Sequence, residues 1–394
     1  MHILHLVRSC DPRTGGPIEG VKLLARAAIS QGHRVEVAAL DSPDAAWLAD
    51  FPLSVHALGP EFGGYGWAPR AVRIFRDQLN GVDAVVVNGL WQYQGALAHR
   101  LLAKGPIPYV VFTHGMLDPW FRRAYPLKHL KKQCYWWLHE RRVLRDADLV
   151  LFTAERECEL ARSTFVPYRV REHVVGYGTA DPGDPTPARA AFLVRHPQLA
   201  ATRNLLFLSR IHRKKGCDLL IAAFLAAAKR VPSLRLVMAG PDEEGLRPDL
   251  ERRAAEAGMT DRIVWAGMLQ GELKRGAFAA CEAFVLPSHQ ENFGIAVAEA
   301  LAHGLPVLIS DQINICREIA NDGAGMIEAD DLAGTHRLLA RWLDLGPEQR
   351  QQMATAARAC FLARFEIGMA ASSLVAALEK ARAIRADRVT KGDA

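Results

Sequence analysis

The sequence lacks a long apolar run and any recognisable cysteine pattern. A membrane-spanning helix needs about 18 consecutive apolar residues, and no stretch of this 394-residue chain approaches that length. The seven cysteines are scattered and include no C-x-x-C pair, which argues against a disulfide framework and a zinc site. The start, MHILHLVRS, leads directly into a strand pattern and has no secretory signal. We therefore expect a folded cytoplasmic protein.

Two common phosphate-binding motifs are also missing. No G-x-G-x-x-G follows a predicted strand, and no G-x-x-x-x-G-K-[ST] occurs anywhere. These absences exclude the usual nicotinamide dehydrogenases and the P-loop NTPases. The length suits two domains better than one hydrophobic core.

Short β-rich runs alternate with amphipathic helical runs along the whole chain. This alternation predicts parallel sheets covered by helices on both faces. The predicted buried strands are residues 2–7, 34–40, 83–89, 108–115, 148–154, 204–209, 234–240, 262–267, 282–288 and 305–310. The fold class is therefore α/β, with two doubly wound, Rossmann-like domains facing each other across a cleft.

The segment TADPGDPTPARA, residues 179–190, is rich in proline and is the predicted linker. It separates a predicted first Rossmann-like domain, residues 1–180, from a predicted second one, residues 181–365. Residues 366–394 are predicted to form a C-terminal helix that can cross back to the first domain. They end in a loose tail, RVTKGDA.

The stretch ENFGIAVAE, residues 291–299, follows a predicted strand and opens a helix near Asn292–Gly294 that stops at Gly304. A helix N-terminus suits a phosphate, and a glycine there lets the ligand approach the backbone. At about 1.5 Å per helical residue, Glu291 and Glu299 would lie roughly 12 Å apart. This layout fits a sugar at Glu291, a diphosphate at the helix start and a ribose at Glu299.

Other unusual residues also follow predicted strands, where open α/β sheets bind ligands. Arg210 and Lys215 suit a diphosphate and would neutralise charge on a departing nucleotide. His114 could contact a sugar hydroxyl, or it could simply be a packed or capping residue. The predicted lining residues are Gly15, Gly16, Gly240, Ser288, Asn292, Phe293, Gly294, Ile295 and Glu299.

These motifs resemble those of the retaining glycosyltransferases of family 4, which have the GT-B fold. The resemblance covers nearly the whole chain. Its most specific part is E-x7-E, from Glu291 to Glu299, supported by R-x4-K-G from Arg210 to Gly216. AGPDE, EALAHGLPVL and the N-terminal glycine pair add to it.

The resemblance implies a UDP- or GDP-sugar donor held mostly by residues 181–365, and a glycan or lipid-linked acceptor held by residues 1–180. It implies no required metal or other cofactor. It implies that Glu291 and His114 contact the donor sugar, that Glu299 contacts the ribose, and that Arg210 and Lys215 bind the diphosphate. Phe293 and Gly294 would offer backbone N–H groups. The usual N-G-V-D between the domains is replaced by G-Y-G-T at residues 176–179, so no role is carried over to those positions.

Other functions remain open at this point. A sugar-nucleotide epimerase of similar fold and a catalytically silent nucleotide-sugar-binding protein share the predicted site. A glycosidase fits less well, because its two carboxylates lie only about 5–9.5 Å apart. The sequence offers no obvious nucleophile, so retention through a covalent intermediate and by same-face attack both stay open.

Residues 120–145 combine basic and aromatic side chains. From Arg122 to Arg145 there are eight Lys or Arg and one acid, Glu140. Such a mixture suits an anionic membrane surface, and an ordinary helix with a solvated basic face is the alternative. Nucleic acid is not expected as a partner, because no nucleic-acid module accompanies the segment. The segment predicts peripheral docking on the inner face of the membrane.

Overall fold

The computed structural model describes residues 1–391 and contains two parallel β-sheets, one in each of two units. Unit 1 comprises residues 1–178 and the helix that begins at Ile367, and unit 2 comprises residues 179–366. The strands of unit 1 are β1 (His2–Val7), β2 (Arg34–Ala39), β3 (Val55–Ala57), β4 (Ala84–Asn88), β5 (Tyr109–Phe112), β6 (Leu149–Phe152) and β7 (Glu172–Val174). Those of unit 2 are β8 (Arg203–Leu208), β9 (Leu234–Ala239), β10 (Ile263–Gly267), β11 (Ala283–Leu286), β12 (Val307–Ser310) and β13 (Gly325–Glu328).

Helices connect the strands in both units. They are α1 (Gly16–Ser30), α2 (Ala71–Asp77), α3 (Tyr93–Leu102), α4 (Trp120–Ala124), α5 (Pro126–Tyr135), α6 (Arg141–Asp146), α7 (Glu155–Ala161), α8 (Thr186–Arg195), α9 (Cys217–Arg230), α10 (Arg247–Glu256), α11 (Gly271–Ala279), α12 (Ile295–Ala302), α13 (Cys316–Asn321), α14 (Leu332–Asp344), α15 (Pro347–Cys360) and α16 (Ile367–Thr390). Two π-helical turns, Trp136–Glu140 and Phe361–Phe365, precede α6 and α16.

The strand order is 3-2-1-4-5-6-7 in unit 1 and 10-9-8-11-12-13 in unit 2, with all strands parallel. Each sheet reverses its order beside its first strand, which is the arrangement that places ligands at the carboxyl ends of the central strands. The central strands are mostly apolar on both faces, and every residue of β4, for example, is buried. The predicted α/β class with two doubly wound sheets is confirmed.

All ten predicted strands are present, and no predicted end differs from the observed one by more than three residues. Three further strands, β3, β7 and β13, lie at sheet edges and are only three or four residues long. Edge strands are buried on fewer sides, so their sequences need not be continuously apolar. Val55–Ala57 and Glu172–Val174 are only partly buried throughout.

Two predicted irregular segments are partly helical. The predicted linker, residues 179–190, is irregular only as far as Pro185, because α8 begins at Thr186 with a proline in its first turn. Proline is well tolerated there, since the first N–H groups of a helix have no internal partner. The predicted loose tail begins at Arg388, yet α16 continues to Thr390. Residues 392–394 of that tail lie outside the described part of the chain.

Helix α16 packs on unit 1, although it follows unit 2 in sequence. It contacts α1, and the Gln31 side chain donates a hydrogen bond to the Gly368 carbonyl at 2.8 Å. Arg385 and Asp148 form a fully buried ion pair between α16 and the start of β6. Among residues 1–391, no helix combines the length and apolar character needed to cross a membrane.

Candidate active site

The loops after β8 and β11 meet at the carboxyl edge of the unit 2 sheet. The two strands are direct neighbours, with Leu205 paired to Ala283. The His289 N–H donates to the Lys214 carbonyl at 2.8 Å. The Ser288 hydroxyl is buried and lies 3.0 Å from that same carbonyl oxygen. Ser288 therefore lies at the edge of the sheet, as predicted, and its hydroxyl links the two loops. The residues predicted from two distant motifs therefore share one surface.

Lys215 and Glu291 form an ion pair at the centre of this surface. Lys215 is only 5% exposed, and a tight turn places it there. The turn ends at Gly216, which has a left-handed backbone with φ 67°. A Cβ atom on Gly216 would lie 2.2 Å from the Pro287 carbonyl oxygen, so only glycine allows this close approach between the loops.

The backbone of Glu291 is fixed by the loop that follows β12. Its N–H donates to the Gln312 carbonyl at 3.1 Å, and its own carbonyl accepts from the Asn314 N–H at 3.2 Å. The Asn314 side chain donates to the Asn292 side-chain oxygen at 3.4 Å. Glu291 is thus held on both sides while its carboxylate faces Lys215.

Helix α12 runs from Ile295 to Ala302, so it begins within one residue of the start predicted near Asn292–Gly294. Gly294 is the N-cap, with φ 74°. The chain from Glu291 to Gly294 is not helical, so the helical rise behind the predicted 12 Å separation does not apply. Phe293 is buried, and its ring packs against Phe365 with the centroids 5.6 Å apart. Ile295 is partly exposed in the first helical turn.

Glu299 has one satisfied and one unsatisfied carboxylate oxygen. Its Oε1 accepts from the Lys274 ammonium at 2.6 Å. Its Oε2 is buried and has no hydrogen-bond partner within residues 1–391. Buried polar atoms rarely lack a partner in native proteins, so this oxygen is a natural acceptor for a ligand hydroxyl.

Arg210 and Gly240 lie on the other side of β8. The Arg210 guanidinium forms a 2.7 Å ion pair with Glu243 and remains about half exposed. Gly240 has φ 135°, and a Cβ atom there would lie 1.9 Å from the Ser209 carbonyl oxygen. The glycine therefore lets the ends of β8 and β9 approach each other.

The remaining predicted residues belong to unit 1. Gly15, with φ 85°, is the N-cap of α1, and Gly16 is its first residue. His114 follows β5 with a left-handed backbone, φ 47°, and stacks on Phe112 at 4.4 Å. Burial, with a smaller effect from His5, lowers the pKa of His114 to about 3, so the imidazole is neutral. Its Nε2 atom lies 3.1 Å from the Asn88 side-chain oxygen.

The sequence did not single out several residues that contact the predicted site, and Lys274 and Asn88 are two of them. Lys274 lies on α11 within GELKRG, where nothing in the local pattern separates it from a solvated lysine. Asn88 could have been found, because it is a polar residue at the end of a buried strand and is followed by glycine. The roles of the predicted residues stay predictions.

Comparison with known proteins identifies the family. The model of Glycosyl transferases group 1 matches residues 196–359, and that of the Glycosyl transferase 4-like domain matches residues 15–178. The chain is a retaining glycosyltransferase of family 4. The two matches fall within unit 2 and unit 1, respectively.

Two similar proteins are each about one-quarter identical to this chain over the aligned residues. The GDP-mannose:cellobiosyl-diphosphopolyprenol alpha-mannosyltransferase of Xanthomonas oryzae pv. oryzae is 27% identical over 343 residues, which are 83% of each chain. Mannosylfructose-phosphate synthase of Agrobacterium fabrum is 24% identical over 64% of this chain and 59% of its own.

Solved structures support the fold. HepE of Anabaena, in complex with UDP, has a TM-score of 0.76 over 96% of this chain and all of its own, with 18% identity. WaaG, a glycosyltransferase involved in lipopolysaccharide biosynthesis, has a TM-score of 0.66 over 94% of this chain and 97% of its own, with 16% identity. Both neighbours are GT-B glycosyltransferases, and the GT-B prediction is confirmed.

Proposed function

We propose that this glycosyltransferase moves a hexose from a nucleoside-diphosphate sugar to a lipid-linked glycan during surface or exopolysaccharide synthesis. GDP-mannose is the first donor to test and UDP-glucose the second. The Xanthomonas oryzae relative supports this choice, because its name specifies GDP-mannose and a diphosphopolyprenol-linked acceptor and the match spans most of both chains. We propose cytoplasmic action at the inner face of the membrane.

The observation that carries the donor proposal is the carboxyl edge of the unit 2 sheet. Arg210 and Lys215 supply two cations there, as a diphosphate requires. The free Oε2 of Glu299 can accept a hydrogen bond from a ribose hydroxyl. Glu291, beside Lys215, is placed to stabilise positive charge that develops on the sugar. With these cations in place, we propose that no metal is needed.

Replacing Lys215 by alanine should weaken binding of GDP or UDP, whichever the protein prefers. A hydrogen bond to a charged group contributes about 1.5–3 kcal/mol, so the dissociation constant should rise by roughly 10- to 150-fold. Arg210→Ala should have a smaller effect, because the guanidinium is half exposed and shares its charge with Glu243. Isothermal titration calorimetry measures both.

Arg213→Ala is the matched control for these variants. Arg213 lies in the same turn as Lys215 but is exposed, so its removal should leave the affinity within about two-fold, as for most surface changes. Unchanged affinity in both Lys215→Ala and Arg210→Ala would place the diphosphate elsewhere.

The acceptor proposal rests on the surface of residues 120–145. Trp136 is buried, but six large apolar side chains of this segment are exposed. They are Phe121, Tyr125, Leu127, Leu130, Trp137 and Leu138. Leu127 is 83% exposed and Leu138 is 65% exposed. An ordinary solvated helix would bury such residues, whereas a membrane interface accepts them beside basic groups.

Docking should require anionic lipid and weaken as salt increases. Each basic residue near such a surface contributes about 1 kcal/mol, and salt screens that attraction. We expect the wild-type protein to sediment with phosphatidylglycerol vesicles at low salt. Changing Arg122, Arg123, Lys128 and Lys131 to glutamine should abolish most of that binding. These four are exposed, whereas Lys132 is half-buried over the Trp91 ring.

A control with the same change in charge uses exposed basic residues of unit 1 outside the segment. These are Arg70, Arg73, Arg76 and Lys104. Their replacement by glutamine should leave sedimentation nearly unchanged if residues 120–145 form the contact. Wild-type protein that stays in the supernatant at low salt would rule out membrane docking and favour a soluble acceptor.

The donor and acceptor are tested together by transfer of radiolabelled sugar. The protein is incubated with labelled GDP-mannose or UDP-glucose, with and without a diphosphopolyprenol-linked disaccharide. We expect labelled lipid-linked product only when the acceptor is present, and only slow hydrolysis without it. Rapid conversion of the donor to another sugar nucleotide without acceptor would indicate an epimerase instead.

A further inference from the structure

Three side chains form a hydrogen-bonded row across neighbouring strands of unit 1. His5 lies on β1, Asn88 ends β4, and His114 follows β5. The Asn88 amide nitrogen is 3.3 Å from His5 Nδ1, and the amide oxygen is 3.1 Å from His114 Nε2. Asn88 is 6% exposed and His5 is 1% exposed. Water therefore has little access to these hydrogen bonds and cannot readily replace them.

The direction of the Asn88 amide follows from a third contact. Its nitrogen lies 3.0 Å from the Val86 carbonyl oxygen, which can only accept a hydrogen bond. The reversed amide would bring two oxygens to that distance with no hydrogen between them. Asn88 therefore donates to Val86 and presents its oxygen to His114.

The amide oxygen determines where His114 carries its proton. An amide oxygen can only accept, so His114 Nε2 must bear the hydrogen in the 3.1 Å contact. The imidazole is neutral, because burial lowers its pKa far below 7. Its Nδ1 atom consequently has a lone pair and no hydrogen. Nδ1 is not among the buried atoms that lack a partner, and the ring as a whole is only partly buried.

The backbone and the ring contacts of His114 hold the side chain in one place. A φ of 47° is uncommon for a residue with a side chain and is found mainly where the surrounding structure enforces it. Stacking on Phe112 at 4.4 Å and an edge contact with Tyr177 at 6.3 Å hold the ring. The ring thus has a fixed orientation as well as a fixed tautomer.

We propose that Asn88 is a positioning residue that holds His114 in the Nε2-protonated form, so that His114 Nδ1 is an acceptor for a hydroxyl of a sugar substrate. The nature of the substrate rests on the proposed function, whereas the tautomer does not. A hydroxyl supplies the hydrogen that Nδ1 lacks, and a carboxylate does not. Nδ1 therefore favours a neutral sugar over a uronic acid at this position.

The tautomer can be read directly by nuclear magnetic resonance of protein labelled with 15N-histidine. Two-bond nitrogen–proton spectra distinguish protonated from unprotonated ring nitrogens, and loss of signals in His114→Ala assigns this residue among the 14 histidines. We expect a single Nε2-protonated form in the wild type at pH 7. In Asn88→Ala, we expect a mixture of tautomers. A wild-type ring protonated at Nδ1, or an unchanged ring in Asn88→Ala, would overturn the proposal.

Asn204→Ala is the matched control for loss of a buried amide. Asn204 is 3% exposed and donates to the carbonyls of Leu199 and Ala280 in unit 2. Its replacement should leave the His114 signals unchanged. A change of tautomer in this variant would mean that general destabilisation, rather than the Asn88 contact, controls the ring.

Transfer rates then separate positioning from a purely structural role. Loss of one hydrogen bond in the transition state corresponds to about a 3- to 10-fold fall in kcat/KM. We expect such a fall in Asn88→Ala and in His114→Ala, and no further fall in the double variant, since both changes remove one interaction. If the double variant instead loses the product of the two single-variant effects on kcat/KM, the proposal is overturned. Absence of transfer from either nucleotide sugar would instead refute the proposed function and leave the tautomer result standing.

Discussion

Replacing Arg385 by alanine should lower the free energy of unfolding of unit 1 by about 3–5 kcal/mol, the usual cost of breaking a buried ion pair from one side. Arg385 is 1% exposed and forms two hydrogen bonds with Asp148, of 3.0 Å from Nε and 2.7 Å from Nη2. The Asp148 carboxylate is wholly buried. Without the guanidinium, much of the desolvation cost of that carboxylate would remain uncompensated.

The same side chain also closes the end of helix α3. Its Nη1 donates to the carbonyls of Leu102, Ala103 and Gly105 at 2.6–3.1 Å. Arg388 lies 3.4 Å from Asp148 and can satisfy only part of this network. Arg385→Lys should therefore recover little of the stability, because an ammonium cannot reproduce the planar set of donors.

Arg382→Ala on the same helix is the matched control. Its side chain is half exposed and lies 3.3 Å from Asp83, so its loss should cost less than about 1 kcal/mol. Urea denaturation followed by tryptophan fluorescence and circular dichroism compares the variants. Similar unfolding midpoints for Arg382→Ala and Arg385→Ala would show that the buried pair does not fasten α16 to unit 1.

The sequence alone was enough to predict the central strands of each sheet, but it was not enough to predict the three short strands at the sheet edges. The central strands are mostly apolar because both of their faces are covered, and in β4 that pattern is visible from Ala84 to Val87. Strand β7, Glu-His-Val, has no such pattern and is a strand only because β6 provides its hydrogen bonds. The start of α8 was not predicted, because a proline in the first turn of a helix is also typical of a linker.

In the candidate site, too, some features could be predicted from the sequence and others depend on the fold. The spacing from Glu291 to Glu299 and the cations at Arg210 and Lys215 are properties of the sequence. The contact between Lys215 and Glu291 depends on β8 lying next to β11, and residue spacing does not determine that order. The pairing of Lys274 with Glu299 joins two helices and has no local signal. Contacts between residues this far apart in the sequence can be identified only once the fold is known.

Replacing Glu291 by glutamine should reduce turnover by about 10²–10³-fold, the size of effect seen when one electrostatic contact to a transition state is removed. The carboxylate lies beside Lys215 and is proposed to stabilise positive charge that develops on the transferred sugar. Glutamine has nearly the same shape but no charge. Ground-state binding should therefore change far less than turnover.

Affinity for the nucleoside diphosphate should be unchanged or higher in this variant. In the wild type, Glu291 is the ion-pair partner of Lys215, which is 5% exposed. Without that partner, the full charge of the ammonium is available to the diphosphate. Initial rates of sugar transfer and calorimetric titration with GDP or UDP measure the two effects separately.

Glu328→Gln provides the control for loss of a paired carboxylate in the same unit. Glu328 ends β13 and pairs with Arg337 and Arg341 at 2.8 and 2.9 Å. Its replacement should leave both turnover and diphosphate affinity near the wild-type values. If Glu291→Gln instead loses turnover and diphosphate affinity in equal proportion, Glu291 acts at the phosphate rather than at the sugar. The division of roles along the edge of the unit 2 sheet would then be wrong, even though the ion pair with Lys215 is correctly placed.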